Sequence, residues 1–147
     1  VPGPLRVVIY RRFMLRIAEK IAKMNNASAL VTGESLGQVG SQTLRNMSTV
    51  GEVASQTILR PLIGMDKSEI IQQAQTIGTF PISILPDEDC CTLFVPKSPS
   101  TKVNNREARI AESELDINRL VDDAIKKSET FEYRLNEKPI QVNKSES

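Results

Sequence analysis

Residues 30–43 constrain the fold of this chain more than any other segment. They read Leu-Val-Thr-Gly-Glu-Ser-Leu-Gly-Gln-Val-Gly-Ser-Gln-Thr, an apolar run followed by closely spaced glycines. The apolar run predicts a buried strand, and the glycines predict a turn that leads into a helix. A strand–turn–helix unit brings backbone N–H groups and a helix N-terminus to one point, which is a common way to hold a phosphate or a nucleotide.

Composition narrows the class of protein further. The chain has 147 residues, of which 39% are apolar, enough for a modest core in one domain or part of one. Only 4% are aromatic and none is Trp, so the core must be aliphatic. There is no histidine, which excludes histidine general-base chemistry and disfavours a catalytic zinc site.

The charge distribution is uneven although the net charge is only +1. Residues 1–30 contain six basic residues and one acid, a local net charge of +5. A basic helix face of this kind could contact phosphate or RNA, although a solvated surface is the more common explanation. The sequence shows no long apolar run and no secretory signal, so we expect a cytoplasmic protein without a membrane segment.

Apolar periodicity predicts helices over residues 7–24, 41–54, 67–77 and 116–127. Apolar or β-branched runs predict strands over residues 27–32, 57–63 and 91–95. Ser41 and Asp66 are candidate N-caps, Asp66 with Glu69 three residues later, and Gly78 is a candidate C-cap. Residues 81–86 are expected to be extended, and the polar residues after Arg134 are expected to be disordered.

The predicted alternation of strands and helices indicates a parallel sheet in an α/β fold. Only two strands are clear, whereas a parallel sheet needs helices on both faces and usually more strands. We therefore expect the C-terminal half of a larger nucleotide-binding domain. Such a piece would be stabilised by contact with another copy of itself or would fold poorly alone.

Several polar residues near the glycines are candidates for binding an anion. Arg11 and Arg12 follow each other early in the first helix, and the guanidinium fork suits phosphate. Gln42 carries an amide that can donate and accept, as reading a base edge requires. Arg60 interrupts an apolar strand and must be paired or face a cleft. The loop after Gly33 matches neither a Walker A motif nor G-x-G-x-x-G, so a plain strand-to-helix turn stays an alternative.

Cys90 and Cys91 are the sharpest chemical signal in the chain. Adjacent strand residues face opposite sides, so at least one of the two thiols should be accessible. The preceding acids, residues 87–89, would raise the pKa of a nearby thiol, so activation must come from elsewhere, with Lys97 and Lys102 as candidates. A metal site is weakly indicated, because there is no C-x-x-C pair and no histidine.

Three blocks of sequence resemble one enzyme family. They are residues 30–43, residues 59–71 (Leu-Arg-Pro-Leu-Ile-Gly-Met-Asp-Lys-Ser-Glu-Ile-Ile) and residues 88–99 (Glu-Asp-Cys-Cys-Thr-Leu-Phe-Val-Pro-Lys-Ser-Pro). In this order they resemble the C-terminal part of the PP-loop ATP pyrophosphatase domain of tRNA 4-thiouridine synthases, also called tRNA sulfurtransferases. The resemblance covers about residues 10–102 and, more loosely, the last helix.

The resemblance implies a Rossmann-like three-layer fold and a two-step reaction. Members of the family use ATP, with Mg²⁺ expected alongside, to adenylate C4 of uridine 8 in tRNA and release pyrophosphate. Sulfur from a protein persulfide, delivered by a cysteine desulfurase, then displaces AMP, and the same protein can supply sulfur for the thiamine thiazole. Matching positions place Arg11, Gly33 and Gln42 in the ATP site. They make Cys91, or by a one-residue shift Cys90, the sulfur-handling cysteine.

This sequence also departs from the family pattern. The Ser-Gly-Gly-x-Asp-Ser pyrophosphate loop and the N-terminal tRNA-binding modules do not occur in it, and Gly40 stands where alanine is more usual. We therefore expect a fragment that is inactive alone, with residues 1–134 a partial PP-loop domain and residues 135–147 a polar tail. Two alternatives stay open: a non-catalytic adenine-nucleotide-binding module, and a dimerisation module whose basic helix contacts a second copy.

Overall fold

The computed structural model describes residues 1–86, 99–135 and 138–142. Its helices are α1 (Arg6–Met24), α2 (Leu44–Gly51), α3 (Lys67–Thr76), α4 (Phe80–Ser83), α5 (Asn105–Glu112) and α6 (Ile117–Lys126). Its strands are β1 (Ala29–Val31), β2 (Thr57–Leu59), β3 (Phe131–Glu132) and β4 (Ile140–Gln141). The chain divides into two units, Val1–Leu115 and Asp116–Ser147.

The first unit contains a parallel pair of strands. β1 and β2 pair in the register Ala29 with Thr57 through Val31 with Leu59, and α2 lies between them in the chain. The amide of Thr32 donates to the carbonyl of Leu59 and extends the ladder by one bond of 3.0 Å. Parallel strands joined through a helix confirm the α/β prediction. β1 is not the buried strand that its apolar run predicts, because Val31 is 69% exposed.

The core of this unit is aliphatic, as the composition predicts. Its buried members come from α1, α2, α5 and the segment before α5, and they are Val8, Ile9, Leu15, Val50, Val103 and Ala108. Leu30 of β1 and Ile58 of β2 pack against them from the sheet. The core therefore lies where α1, α2 and α5 meet the sheet, and it fixes α1 relative to the ends of the two strands.

Several helix boundaries follow the sequence signals closely. α1 covers the predicted residues 7–24. α3 begins with a complete capping box, since the Asp66 side chain accepts from the Glu69 amide and the Glu69 side chain accepts from the Asp66 amide. Gly78 follows α3 with a φ of 76°, which glycine adopts without a steric penalty. α6 begins directly after its N-cap Asp116 and ends at Lys126.

The helix predicted over residues 41–54 is wrong at its start. Residues Gly40–Gln42 form a 3₁₀ turn instead, and Thr43 follows in an extended conformation with a ψ of 152°. Thr43, not Ser41, is the N-cap of α2, because its hydroxyl accepts from the amide of Asn46. Ser41 is buried. The extended residue Thr43 separates the turn from the helix.

Two further segments differ from the sequence-based expectation. Phe80–Ser83 is a short helix, α4, with Pro81 in its first turn, where proline costs no hydrogen bond. Apolar periodicity does not predict α5, because only three of its eight residues are apolar. It carries a readable start signal, however: Asn104 and Glu107 form a capping box. The strand predicted over residues 91–95 lies outside the described residues.

The second unit contains α6 and an antiparallel pair of short strands. Val121 and Ile125 are the buried residues of α6, one turn apart. β3 and β4 pair Phe131 with Gln141 and Glu132 with Ile140. β4 therefore lies in the segment after Arg134 for which disorder is expected. None of the helices in the described part of the chain is long and apolar enough to cross a membrane.

Candidate functional site

The loop after β1 is held at two adjacent residues by one backbone and one side-chain hydrogen bond. The amide of Leu36 donates to the carbonyl of Ile63 at 3.1 Å, and the hydroxyl of Ser35 donates to the carbonyl of Met65 at 2.6 Å. Both contacts tie the loop to the segment that follows β2. The loop therefore has a fixed position at the carboxyl ends of the two parallel strands, where open α/β sheets bind their ligands.

The two glycines of this loop have different conformations. Gly37 has a φ of 79°, whereas Gly33 does not use positive φ. A Cβ added at Gly33 would meet nothing within 4 Å in the described part of the chain. The space over Gly33 is thus open, so a ligand could approach the backbone there closely.

Glu34 lies next to Gly33 and binds two arginines. Its Oε1 accepts from Nη1 of Arg11 at 2.7 Å, and its Oε2 accepts from Nε of Arg60 at 2.8 Å and from Oγ1 of Thr32 at 3.1 Å. Arg11 comes from the N-terminal half of α1, and Arg60 follows β2 directly. Three elements therefore contribute charged side chains to one point beside Gly33. Arg60 is paired, as its position in an apolar segment requires.

Gln42 lies at the far end of the same loop. Its carbonyl accepts from the amide of Gly37 at 2.9 Å, so the 3₁₀ turn closes back onto the loop. Its side-chain Oε1 is buried and has no hydrogen-bond partner among the described residues. A buried acceptor without a donor is costly unless a ligand supplies one.

Asn46 connects the Gln42 turn to the segment that follows residues 87–98. Its Nδ2 donates to the carbonyls of Gly40 and Ser100, both at 2.9 Å, and its Oδ1 accepts from the amide of Val103 at 2.9 Å. The side chain is fully buried and every polar atom has a partner. Asn46 therefore fixes the distance between the turn and the chain that returns after the cysteine pair.

Arg12 does not belong to this site, contrary to the suggestion that Arg11 and Arg12 together bind phosphate. Its Nε and Nη2 form a fork onto Glu112 of α5, and its Nη1 donates to Glu52 and to the carbonyl of Thr49. Burial by itself would lower the pKa of Arg12, but the hydrogen bonds to Glu112 and Glu52 outweigh it and raise that pKa. Arg12 is a structural cation, with only 2% of its surface exposed.

Glu112 and Arg16 complete this network. Arg16 donates to both carboxylate oxygens of Glu112, at 2.6 and 2.9 Å. Burial would raise the pKa of Glu112, but the bonds from Arg16 and Arg12 hold it below its ordinary value. Two of the six basic residues in the first 30 are therefore bound to an acid from α5, and the basic face of α1 is smaller than the sequence indicates.

Cys90, Cys91 and Lys97 lie outside the described residues. Among the residues that are described, no three or more acidic, cysteine or histidine side chains are grouped so that they could hold a metal ion. The candidate site formed by described residues is therefore the loop with Arg11, Gly33, Glu34, Gln42 and Arg60.

Residues 1–117 match a family model described as "Thiamine biosynthesis protein (ThiI)". The match covers well over half of the chain. The chain belongs to the ThiI family. The resemblance in the three sequence blocks is thereby confirmed.

Two known proteins resemble the chain along most of its length. A protein named "Probable tRNA sulfurtransferase" from Thermus thermophilus is 50% identical over 139 residues, 95% of this chain and 34% of that protein. A crystal structure of a 4-thiouridine synthetase–RNA complex with bound ATP superposes with a TM-score of 0.81 at 42% identity. The match covers 86% of this chain and 33% of that chain.

This member of the ThiI family thus spans about one third of the length of the relatives it matches. The three residues that the family resemblance assigns to the ATP site, Arg11, Gly33 and Gln42, all lie on or beside one loop. Glu34 is not predicted as a site residue from the sequence. Two features of the sequence point to it: it is an acid between Gly33 and Gly37, and Arg60, in an apolar segment, needs an acidic partner.

Proposed function

We propose that this chain is part of an ATP-dependent tRNA sulfurtransferase that makes 4-thiouridine at uridine 8 of tRNA. The observation that carries the proposal is the 50% identity to a tRNA sulfurtransferase over 95% of the chain. In the proposed reaction ATP adenylates the oxygen on C4 of the uridine and pyrophosphate leaves. The terminal sulfur of a protein persulfide then attacks C4, and AMP leaves with that oxygen. A second cysteine thiolate attacks the inner sulfur of the resulting protein–S–S–C4 link, so that a protein disulfide forms and 4-thiouridine is released.

Arg11, Gly33 and Gln42 bind ATP in this proposal. Arg11 offers guanidinium N–H groups to a phosphate at the carboxyl ends of the strands. The open space over Gly33 lets the nucleotide approach the backbone. The unpartnered Oε1 of Gln42 accepts a hydrogen bond, for which the amino group of adenine is the matching donor. The proposal is supported by the ATP in the similar crystal structure.

Mg²⁺ is expected with ATP, and it would neutralise part of the charge on the phosphates. The described residues offer little to hold it, since both oxygens of Glu34 are already taken by arginine and threonine donors. Because Mg²⁺ usually binds with few protein ligands and with substrate phosphates, an ion here would be held mainly by the nucleotide and not by these side chains. The chain's own part is to place Arg11 and the loop backbone against the nucleotide.

Cys91, with Cys90 as the alternative, handles the sulfur. An accessible thiol can accept a persulfide sulfur or resolve a persulfide by forming a disulfide. A cysteine desulfurase is the proposed donor, and tRNA is the proposed acceptor, in keeping with the RNA in the similar crystal structure. Supply of sulfur to the thiamine thiazole, assembly with a second copy and a cytoplasmic location belong to the same proposal.

Reconstitution with the full-length protein, tRNA, Mg-ATP and a cysteine desulfurase with cysteine tests this function. We expect 4-thiouridine at position 8 only when ATP is present, and loss of the product in Cys91→Ser but not in Cys90→Ser. Loss only in Cys90→Ser would move the role to Cys90. An ATP-binding protein that yields no 4-thiouridine would contradict the function and favour a nucleotide-binding module.

A further inference from the structure

The carboxylate of Glu34 is shared by two arginines that come from different parts of the chain. Arg11 binds Oε1 and Arg60 binds Oε2, at 2.7 and 2.8 Å, across 23 and 26 residues of sequence. Thr32 adds a third donor to Oε2 at 3.1 Å. Glu34 is 9% exposed, so this carboxylate is largely removed from water and its two oxygens are engaged by fixed partners.

Two cations on one anion leave the group with a net charge of +1. Each guanidinium has five N–H donors, and Glu34 takes one from each arginine. Among the described residues no other hydrogen-bond acceptor is found for Arg11 or Arg60. Their side chains are 24% and 22% exposed. The remaining N–H groups are therefore accessible to an acceptor that comes from solution.

The position of the group agrees with a ligand site. Arg60 follows directly after β2, and Glu34 follows β1 by three residues, so both stand at the carboxyl ends of the parallel pair. Arg60 also lines a cavity of about 460 Å³ between α2 and β2. Its Nη2 lies 3.6 Å from where a Cβ on Gly51 would be, so the outer end of the guanidinium faces this space.

From this geometry we infer that Glu34 is a positioning residue that presents Arg11 and Arg60 as a pair to the phosphate groups of ATP. Arg60 is accordingly a second phosphate-binding residue beside Arg11. A carboxylate that holds two guanidinium groups at a fixed spacing lowers the entropy lost when both bind one anion. This inference rests on the proposed function, because it takes ATP as the ligand.

The role of Glu34 as a positioning residue makes a prediction opposite to that of simple electrostatics. Glu34 is an anion near the proposed phosphate site, so removal of its charge should strengthen ATP binding if only Coulomb attraction mattered. If Glu34 holds the two arginines in place, the same change weakens ATP binding. The sign of the effect therefore separates the two explanations.

Equilibrium binding of ATP and of adenosine to the full-length protein tests the inference, with Glu34→Gln as the variant. We expect the Kd for ATP to rise about tenfold, the size of one lost charged hydrogen bond, and the Kd for adenosine to stay unchanged. The matched control is Glu19→Gln, which changes a carboxylate of α1 with a similar exposure, 8%, that is bound to Ser55, Gln56 and Lys23 and not to either arginine of the site. The control should bind both ligands as the wild type does.

An unchanged or lower Kd for ATP in Glu34→Gln would overturn the inference, as would an equal loss of adenosine binding. Arg60→Lys tests the inference independently, because lysine keeps the positive charge but lacks the forked N–H donors of the guanidinium group. We expect weaker ATP binding and unchanged adenosine binding, and an unchanged Kd for ATP would remove Arg60 from the site. A wild-type protein that does not bind ATP would overturn both this inference and the proposed function. Binding by the wild type with no effect of the variants would overturn this inference alone.

Discussion

The guanidinium of Arg12 and the carboxylate of Glu112 form a two-bond fork between α1 and α5. Nε donates to Oε1 at 3.0 Å and Nη2 donates to Oε2 at 2.9 Å, across 100 residues of sequence. Both side chains are at most 4% exposed. A buried pair of this kind fixes where α5 lies on α1, and through α1 it fixes the place of Arg11.

Glu112→Gln should destabilise α1 and α5 strongly. The change leaves Arg12 buried with a charge that lacks its main partner, which typically costs about 3–5 kcal/mol. Native-state hydrogen exchange of the full-length protein measures this as faster opening of the α1 amides. The double variant Arg12→Met with Glu112→Leu should recover part of the loss, since it removes the two most deeply buried charges together, while the charges of Arg16 and Glu52 can reach water at 17% and 19% exposure. A Glu112→Gln protein with unchanged exchange would show that the fork contributes little.

Stability in this region should fall in acid. The pKa of Glu112 is held below its ordinary value of 4.5 by Arg16 and Arg12. A depressed pKa stabilises the folded state above the ordinary value, and this contribution is lost as the pH falls through the folded-state value. We expect α1 amide protection to decrease below about pH 4.5 in the wild type, with a smaller decrease in Glu112→Gln. Equal pH dependence in the two proteins would assign the acid sensitivity to other carboxylates.

Gly40→Ala should be tolerated and slightly stabilising. Gly40 does not use positive φ, and an added Cβ would lie 3.4 Å from Thr101 Cγ2, an ordinary contact. Replacement of such a glycine typically adds about 0.4–1 kcal/mol by restricting the unfolded chain. Denaturant unfolding measures the change, and Gly37→Ala serves as the contrast. Gly37 has a φ of 79°, so alanine there should destabilise the protein.

Gln42→Leu should separate stability from ligand binding. Because Oε1 of Gln42 is buried without a partner in the described part of the chain, its loss should leave stability unchanged or raise it. ATP affinity should fall about tenfold if that oxygen accepts from adenine. Thermal unfolding and ATP titration of the same full-length protein measure both effects. Unchanged ATP affinity would exclude Gln42 from the adenine site.

The parts of the structure that depend on local signals can be predicted from the sequence. The apolar periodicity of α1 and α6 and the capping box at Asp66 identify elements within a residue or two. Apolar periodicity does not predict α5, because this helix is mostly polar, although the capping box at Asn104 marks its start. The start of α2 was misplaced because Thr43 binds the carbonyl of Thr101, a contact 58 residues away.

The candidate site was recovered only in part for the same reason. The family resemblance assigns Arg11, Gly33 and Gln42 to the ATP site by matching sequence positions. It does not indicate which residues these three contact. Two features of the site depend on contacts between residues far apart in the chain. Glu34 binds Arg11 and Arg60 across 23 and 26 residues, and Arg12 binds Glu112 in a buried network across 100 residues. Helical spacing alone separates Arg12 from Arg11, because Arg12 shares the buried face of α1 with Val8 and Leu15, but it does not identify the partners of either arginine.

The rate of tRNA-dependent pyrophosphate release from ATP by the full-length protein is the most direct measurement. It compares the wild type with Arg11→Met, and with Arg6→Met, which removes an exposed arginine from the same helix as a control. We predict at least a tenfold slower release in Arg11→Met, about 1.4 kcal/mol of lost transition-state stabilisation, and a wild-type rate in Arg6→Met. Equal rates in all three proteins would contradict a nucleotide site built on Arg11 and the loop after β1.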